Sequence, residues 1–201
     1  MRAFIAVDVP DEARQSLAVL QRELAASGAD VKWVAPEQLH LTLKFLGEIT
    51  EEQRGAMEAA LARIGQQEAA FEMRLAGTGA FPSVTAPRVV WVDVVEGQEP
   101  LARIAARLNE EGARRGIEAE GRPFAAHLTL GRVRSPKQRT ALVERLRASL
   151  WQPPAPWRVE SLTFYQSVLS AAGPTYTVLA DVPLLSPCSK RGQTPERPLC
   201  P

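Results

Sequence analysis

The strongest constraint on this chain is a tetrapeptide, His-Leu-Thr-Leu, that occurs at residues 40–43 and again at residues 127–130. The two copies contain both histidines of the 201-residue chain. Side chains alternate between the faces of a β-strand, so histidine and threonine share one face and the leucines take the other. The repeat therefore predicts two similar strands, each packing leucines on helices and presenting His and Thr to an open groove.

Helices and strands are predicted to alternate in both halves of the chain. Apolar residues at helical spacing, with Thr50 and Ser135 as capping residues, predict helices at about residues 10–28, 50–65, 101–116 and 135–150. Runs rich in β-branched and aromatic residues predict strands at about residues 2–9, 31–34, 39–46, 71–75, 88–95, 124–133, 159–169 and 176–184. The glycines and prolines of residues 77–87 predict a loop.

This alternation, with polar and apolar residues alternating along several strands, favours sheets that have one exposed face. We expect an α+β fold built as two similar lobes, and the crossovers leave open whether the sheets are parallel or antiparallel. Residues 1–185 form the expected single bilobal domain. Residues 186–201 have the composition of a disordered tail. Because Cys188 and Cys200 both fall in that tail, we expect no disulfide framework.

Composition and charge exclude several classes of protein. The chain is 45% hydrophobic and 23% charged, which is typical of a soluble globular protein. No apolar run approaches the roughly 20 residues of a membrane span. The apolar stretch after Met1 is too short for a secretion signal, so we expect a cytoplasmic protein. A net charge of +1 excludes a basic nucleic-acid coat, so any polyanion site must be a local patch.

Two histidines and two threonines facing one groove suit chemistry at phosphorus. Histidine titrates near pH ~6.5, so one imidazole can act as a base while the other acts as an acid. The hydroxyls of Thr42 and Thr129 can donate to phosphate oxygens, although threonine is also favoured in strands by its β-branching. His40 and His127 alone make a poor zinc site. We therefore expect an in-line displacement that needs neither a metal nor another cofactor.

Further residues near the motifs are candidates for substrate binding. Arg132 could clamp a phosphate, but strict alternation places it on the leucine face, so the strand must bend at Gly131. Lys44 has the parity to reach the groove. Phe45 could stack an RNA base, as could Trp33 and Tyr165, with core packing as the alternative role for each.

At this level the chain resembles a known family, the two-histidine phosphoesterases, and among them the LigT-like RNA 2′,3′-cyclic phosphodiesterases, also called 2′-5′ RNA ligases. The resemblance extends from Arg2 to about Leu184. It is carried by the following segments: Phe-Ile-Ala at 4–6, Trp-Val-x-Pro-Glu-x-Leu-His-Leu-Thr-Leu-Lys-Phe-Leu-Gly at 33–47, Phe-Pro-Ser at 81–83, Pro-Arg-Val-x-Trp at 87–91 and Phe-x-x-His-Leu-Thr-Leu-Gly-Arg at 124–132. One departure is Ala126, where the family usually has proline.

The resemblance implies a bilobal α+β fold, with two pseudo-symmetric lobes of mostly antiparallel sheet, outer helices and a central cleft that has one motif on each wall. It also implies hydrolysis of 2′,3′-cyclic phosphate ends of RNA to 2′-phosphates. It implies that His40 donates a proton and His127 accepts one, an assignment that two identical motifs leave open. It also implies an ATP-independent reversal that joins RNA ends through a 2′-5′ linkage. The expected partner is RNA with a cyclic phosphate end, and tRNA halves are one candidate. We expect the protein to be a monomer and to have no membrane partner.

Two other classes remain open. One is a related two-histidine enzyme that acts on small cyclic nucleotides or other nucleotide phosphoesters. The second is a non-catalytic protein that binds RNA ends, which two intact histidines argue against. A metallohydrolase is disfavoured because the sequence offers too few ligands.

Overall fold

The computed structural model describes residues 1–170 and 173–186, and the bounds below refer to these residues. Four helices have the bounds α1 Asp11–Ala25, α2 Glu51–Gly65, α3 Gln98–Ala113 and α4 Arg139–Ala148. Nine strands have the bounds β1 Arg2–Asp8, β2 Val31–Trp33, β3 His40–Glu48, β4 Phe71–Ser83, β5 Ala86–Glu96, β6 His127–Val133, β7 Trp157–Val159, β8 Ser161–Ser170 and β9 Gly173–Pro183. A 3₁₀ turn, Pro36–Gln38, leads into β3.

The strands form two sheets. The first has the order β3-β1-β8-β9 and the second the order β2-β6-β5-β4-β7. Every pairing within the two sheets is antiparallel. The predicted α+β class with mostly antiparallel sheets is therefore confirmed. The expected tail lies outside the described residues except for Ser186, as do Cys188 and Cys200.

The two lobes are not the two halves of the sequence. The part of the chain through β4 supplies the paired strands β1 and β3, and the part from β5 onward supplies the paired strands β5 and β6. A later strand of each part then joins the other sheet: β4 pairs with β5, and β8 pairs with β1. This exchange joins the two parts of the chain by backbone hydrogen bonds within each sheet, so each motif strand lies in a sheet built from both parts.

The predicted direction of the leucines in the repeated motif is confirmed. Leu41 and Leu43 are buried in the core, and so are Leu128 and Leu130. Helices α2 and α3 pack on the first sheet, while α4 packs on the second beside α1. Burying the leucines against this helical layer directs the histidine and threonine of each motif away from it.

The prediction of a loop at residues 77–87 is wrong. Strand β4 continues through these residues to Ser83, and β5 begins at Ala86. Gly77 is the extra residue of a β-bulge and has a φ of 74°, a backbone conformation that favours glycine. A Cβ at Gly79 would lie 2.2 Å from the indole of Trp91. These glycines serve a bulge and a close approach within a strand, not a loop.

Two element starts also differ from expectation. The predicted strand 124–133 begins only at His127, and the helix expected from Ser135 begins at Arg139. Ser135 Oγ accepts from the backbone N–H of Lys137, at 3.4 Å, and so caps a turn that precedes the helix. The predicted cap at Thr50 is confirmed, since its hydroxyl accepts from the N–H of Gln53 at 3.1 Å.

Glu68, between α2 and β4, is only 5% exposed and accepts hydrogen bonds from Arg103 and Arg107, each with a contact of 2.9 Å. Replacing Glu68 with glutamine is expected to lower the free energy of unfolding by about 1–2 kcal/mol, because the hydrogen bonds from Arg103 and Arg107 lose the negative charge of their buried acceptor. Urea unfolding at pH 7 measures this loss. Glu96→Gln in the exposed pair with Arg74 is the control and should change stability by less than about 0.5 kcal/mol.

The loss of stability in Glu68→Gln should depend on pH. Burial acts to raise the pKa of Glu68, but hydrogen bonds from Arg103 and Arg107 and their charges lower it below the usual value. Its stabilisation is therefore present above the ordinary glutamate pKa of about 4.3 and is lost as the pH falls through the lower folded value. The difference between wild type and Glu68→Gln should shrink in that range. A difference that stayed constant there would contradict this assignment.

Candidate active site

The two motif strands lie close together, one in each sheet. Gln21 of α1, which is buried, connects them: its side-chain amide donates to the carbonyls of Val34, at 2.7 Å, and Leu130, at 2.9 Å. Val34 belongs to the segment that leads into β3, and Leu130 belongs to β6. This hydrogen-bonded link holds the approach to the first motif against the strand of the second.

Both histidines are anchored in the same way. Nδ1 of His40 lies 2.7 Å from the carbonyl oxygen of Gln38, and Nδ1 of His127 lies 2.7 Å from that of Ala125. A carbonyl oxygen only accepts, so Nδ1 carries the proton and Nε2 of the neutral ring is the unprotonated nitrogen. Each imidazole therefore keeps Nε2 for proton transfer, and the identical spacing reproduces the same orientation twice.

His40 lies within a cluster of aromatic rings. It stacks on Phe4 with centroids 4.8 Å apart and meets Tyr176 edge-on at 5.4 Å, with Tyr165 at 6.4 Å. Burial lowers the pKa of His40 below its usual value, while the hydrogen bond with Gln38 and the charge of Asp8 oppose that effect. The cluster consequently favours the neutral imidazole, and Asp8 limits that preference.

His127 has different neighbours. Its ring meets Phe81 edge-on at 5.0 Å and Trp91 at 6.3 Å. Phe81 and Trp91 lie 5.1 Å from each other on the paired strands β4 and β5. Two identical tetrapeptides are thus placed in unlike surroundings, which is the structural basis on which the two histidines can differ.

A β-bulge lies at the last residue of the tetrapeptide, Leu43 or Leu130, in both motif strands. The β1–β3 pairing shifts register between Thr42 and Lys44, and the β5–β6 pairing shifts between Thr129 and Gly131. Burial along the strand repeats accordingly, with two successive buried residues before an exposed Phe45 or Arg132. The bend predicted for Arg132 is present, and Arg132 returns to the face of His127.

The bulge overturns the predicted direction of Lys44. Its parity matches His40 only in a regular strand, and the extra residue moves it to the buried face, where it is 2% exposed. Nζ donates to the carbonyl of Glu118 at 2.7 Å and lies 4.0 Å from the Glu120 carboxylate. Burial lowers the pKa of Lys44, and both glutamates oppose this. Lys44 holds the segment before β6 and does not reach the groove.

The remaining predicted residues lie on the histidine face. Thr42 and Thr129 are half-buried, and among the described residues neither hydroxyl has a hydrogen-bond partner. Phe45 is 50% exposed and lies 6.1 Å from Phe4, so one of its faces is open. The structure thus brings together both histidines' strands, both threonines, Arg132 and Phe45.

The sequence-based prediction missed Tyr176 and Asp8. Arg132 of the second sheet lies close enough for its charge to oppose the effect of burial, which raises the pKa of Tyr176. Tyr176 therefore marks where the two sheets face each other. A usable signal existed, because the chain has only two tyrosines and both join the His40 cluster. For Asp8 the sequence offered no signal, because only the register of β1 with β3 places it across from His40.

A cavity of about 250 Å³ opens beside His40 and is lined by Asp8, Arg14, Gln38, Tyr165 and Tyr176. The first sheet curls around it, and the side chain of Gln38 donates to the carbonyl of Pro174 at 2.6 Å across the opening. A hollow of about 360 Å³ between α1 and α4 contains no motif residue. The chemistry-bearing residues therefore belong to the first cavity and the adjoining faces of β3 and β6.

Over residues 1–170 and 173–186, no three His, Cys, Asp or Glu side chains are grouped so that they could hold a metal ion. Within the same residues, no helix is both long and apolar enough to span a membrane.

An α+β fold with two exchanged lobes and paired His-x-Thr strands defines the class of two-histidine phosphoesterases. The chain belongs to the LigT-like phosphoesterase family, whose model matches it twice, at residues 7–91 and 92–176. Each match contains one motif. The internal repeat that the fold shows is thus also a repeat of the family pattern.

Relatives and solved structures agree with this assignment. An RNA 2′,3′-cyclic phosphodiesterase of Archaeoglobus fulgidus is 38% identical over 176 residues, covering 88% of this chain and 96% of that protein. A crystal structure from Thermus thermophilus has a TM-score of 0.75 and 35% identity, covering 92% and 98% of the two chains. E. coli LigT complexed with 3′-AMP has a TM-score of 0.73 and 29% identity, covering 91% and 97%.

Proposed function

We propose that this chain hydrolyses the 2′,3′-cyclic phosphate ends of RNA to 2′-phosphates through acid–base catalysis by His40 and His127. One observation carries the proposal: both imidazoles donate Nδ1–H to a backbone carbonyl two residues earlier, so both Nε2 atoms are available on neighbouring strands. The names of the relatives, RNA 2′,3′-cyclic phosphodiesterases at 28–38% identity, support the same substrate.

The proposed reaction is an in-line displacement at phosphorus. Nε2 of His127 takes a proton from a water molecule as its oxygen bonds to phosphorus. The bond between phosphorus and O3′ breaks, and His40, which enters the reaction protonated on both ring nitrogens, gives the proton on Nε2 to O3′ and returns to the neutral form. The products are a 2′-phosphate and a free 3′-hydroxyl. When the 5′-hydroxyl of a second RNA replaces water, the same steps form a 2′-5′ linkage without ATP.

The other residues of the face are proposed to bind the substrate. The hydroxyls of Thr42 and Thr129 donate to the two non-bridging phosphate oxygens. Arg132 neutralises the negative charge that increases in the transition state, as a planar guanidinium does well. Phe45 offers its exposed face to a base next to the cyclic phosphate, which favours an RNA strand over a mononucleotide.

We further propose that residues 1–185 act as one unit and that the chain acts as a cytoplasmic monomer. Both motifs come from one chain, and the exchanged strands β4 and β8 join the two parts of that chain by backbone pairing within each sheet. A partner chain is not needed to complete the constellation. Light scattering of the purified protein should give the mass of one chain.

The test is incubation with an RNA oligonucleotide that ends in a 2′,3′-cyclic phosphate, with EDTA and without ATP. The expected product is the 2′-phosphate, identified as a hydrolysed end by its mass and distinguished from a 3′-phosphate by its resistance to a phosphatase that removes only 3′-phosphates. Parallel reactions with a 2′,3′-cyclic mononucleotide and with tRNA halves show how much the RNA strand contributes to the rate. An intact cyclic end, or a 3′-phosphate product, would contradict the proposal.

A further inference from the structure

Identical motifs need something outside themselves to divide the roles of acid and base. In the register of the sheets, Asp8 of β1 lies directly across from His40, and Asp93 of β5 lies directly across from His127. Residues opposite each other on neighbouring strands interact through their side chains. Each histidine therefore has an aspartate as its cross-strand neighbour, and the two aspartates differ in what surrounds them.

Asp8 is held by two hydroxyls. Tyr165 donates to its Oδ1 at 2.6 Å, and the Thr163 hydroxyl lies 2.9 Å from its Oδ2 and 3.2 Å from Oδ1 of Asp181, so the two carboxylates share that one donor. Burial first, and then the hydrogen bond to Asp8 and its charge, raise the pKa of Tyr165 far above the usual value, so this phenol remains a donor. Within the described residues, the Asp93 carboxylate has no such hydrogen bonds. Only Asp8 is fixed as a carboxylate beside a histidine.

We propose that Asp8 is a positioning residue whose negative charge favours the protonated form of His40 against the effect of burial and thereby makes His40, of the two histidines, the acid of the reaction. This inference rests on the proposed function for the acid step. No hydrogen bond joins Asp8 to the imidazole, so Asp8 acts through its charge. Opposing burial, the charge raises the pKa of His40, which the aromatic cluster lowers.

The other titratable and charged groups around His40 are compatible with this role of Asp8. The phenols of Tyr165 and Tyr176 stay neutral because burial raises the pKa of each. The remaining charged groups near His40, its cavity or the hydroxyls that hold Asp8 come from the 3₁₀ turn, α1, β1, β6 and β9: Glu37, Arg14, Arg2, Arg132 and Asp181. All of these remain when Asp8 alone is changed, so a difference between variants reports Asp8.

The variant to make is Asp8→Asn, which keeps the size of the side chain and one acceptor for Tyr165. Proton NMR titration is direct, because the chain has two histidines and His127→Ala identifies the signal of His40. The midpoint of the His40 signal should fall, with the other histidine as internal reference. Asp93→Asn, the matched control across from His127, should leave the His40 midpoint unchanged.

Rate measurements complete the test. A group that must be protonated sets the alkaline limb of the pH profile, so Asp8→Asn should move that limb to lower pH. The rate on that limb should drop about three- to tenfold. Tyr165→Phe removes a hydrogen bond and keeps the charge, and it should leave the limb near its wild-type position.

Three results would overturn the inference. The first is a His40 midpoint that stays in place in Asp8→Asn. The second is an equal fall in Tyr165→Phe, which would make geometry and not charge responsible. The third is an alkaline limb that does not follow the His40 midpoint. Because the titration needs no substrate, failure of the proposed function is seen separately, as a wild-type protein that leaves the cyclic phosphate intact.

Discussion

Replacing either His40 or His127 with alanine is expected to slow hydrolysis of an RNA cyclic phosphate end by about 10²–10⁴-fold. Each change removes one Nε2 that gives or takes a proton, while the Gln38 and Ala125 carbonyls that anchor the rings remain. The double variant should lose less than the product of the two single losses, since both groups act in one displacement. Single-turnover rates at pH 7 measure these losses.

The wild-type rate should follow a bell-shaped pH profile, and each alanine variant should lose one limb. Thermal unfolding of each variant is the control for folding, since both rings are only half-buried. Full activity in either alanine variant would remove that histidine from the mechanism. A wild-type profile that is flat between pH 5 and 9 would contradict paired acid–base catalysis.

Replacing Arg132 with alanine is expected to lower kcat/KM by about 10²–10³-fold, because a transition-state donor at phosphate has this size of effect. The bulge at Leu130 and Gly131 returns Arg132 to the face of His127. Arg132→Lys keeps the charge and loses the planar fork, and it should recover only part of the rate. Steady-state kinetics on the same RNA measure all three proteins.

Lys32 provides a matched control for Arg132. It lies directly opposite Arg132 in the β2–β6 pairing and is exposed. Lys32→Ala removes a nearby positive charge without removing the proposed clamp, so its effect should stay below about tenfold. Equal losses in both variants would mean that Arg132 contributes only general positive charge.

The repeated motif made the histidine strands predictable. Leucines at 41, 43, 128 and 130 and histidines two residues before each threonine follow the strand period, and burial confirms that separation. The loop predicted for residues 77–87 was wrong because glycine was interpreted as a local breaker. Glycine occurs at position 77 because of a β-bulge and at position 79 because the indole of Trp91 lies over it. Both features arise only when β4 pairs with β5.

The side-chain directions after each motif show a similar limit. Counting by two places Lys44 in the groove and Arg132 on the core face, and one extra residue in each strand reverses both. A bulge depends on the register of the neighbouring strand, so it is invisible in a single strand's pattern. The sequence predicted that the strand must bend before Arg132 reaches the groove. It gave no indication that the same kind of bend would turn Lys44 into the core.

By itself, the sequence determined that two identical strands carry all of the chain's histidines, which leads to the family and to chemistry at phosphorus. Only the tertiary structure decided how those strands differ: Asp8, Tyr165 and Tyr176 surround His40, while Phe81 and Trp91 surround His127. The physical reason is the range of the interactions. Side-chain alternation is local and repeats with the tetrapeptide, whereas burial and charge come from strands distant in the chain.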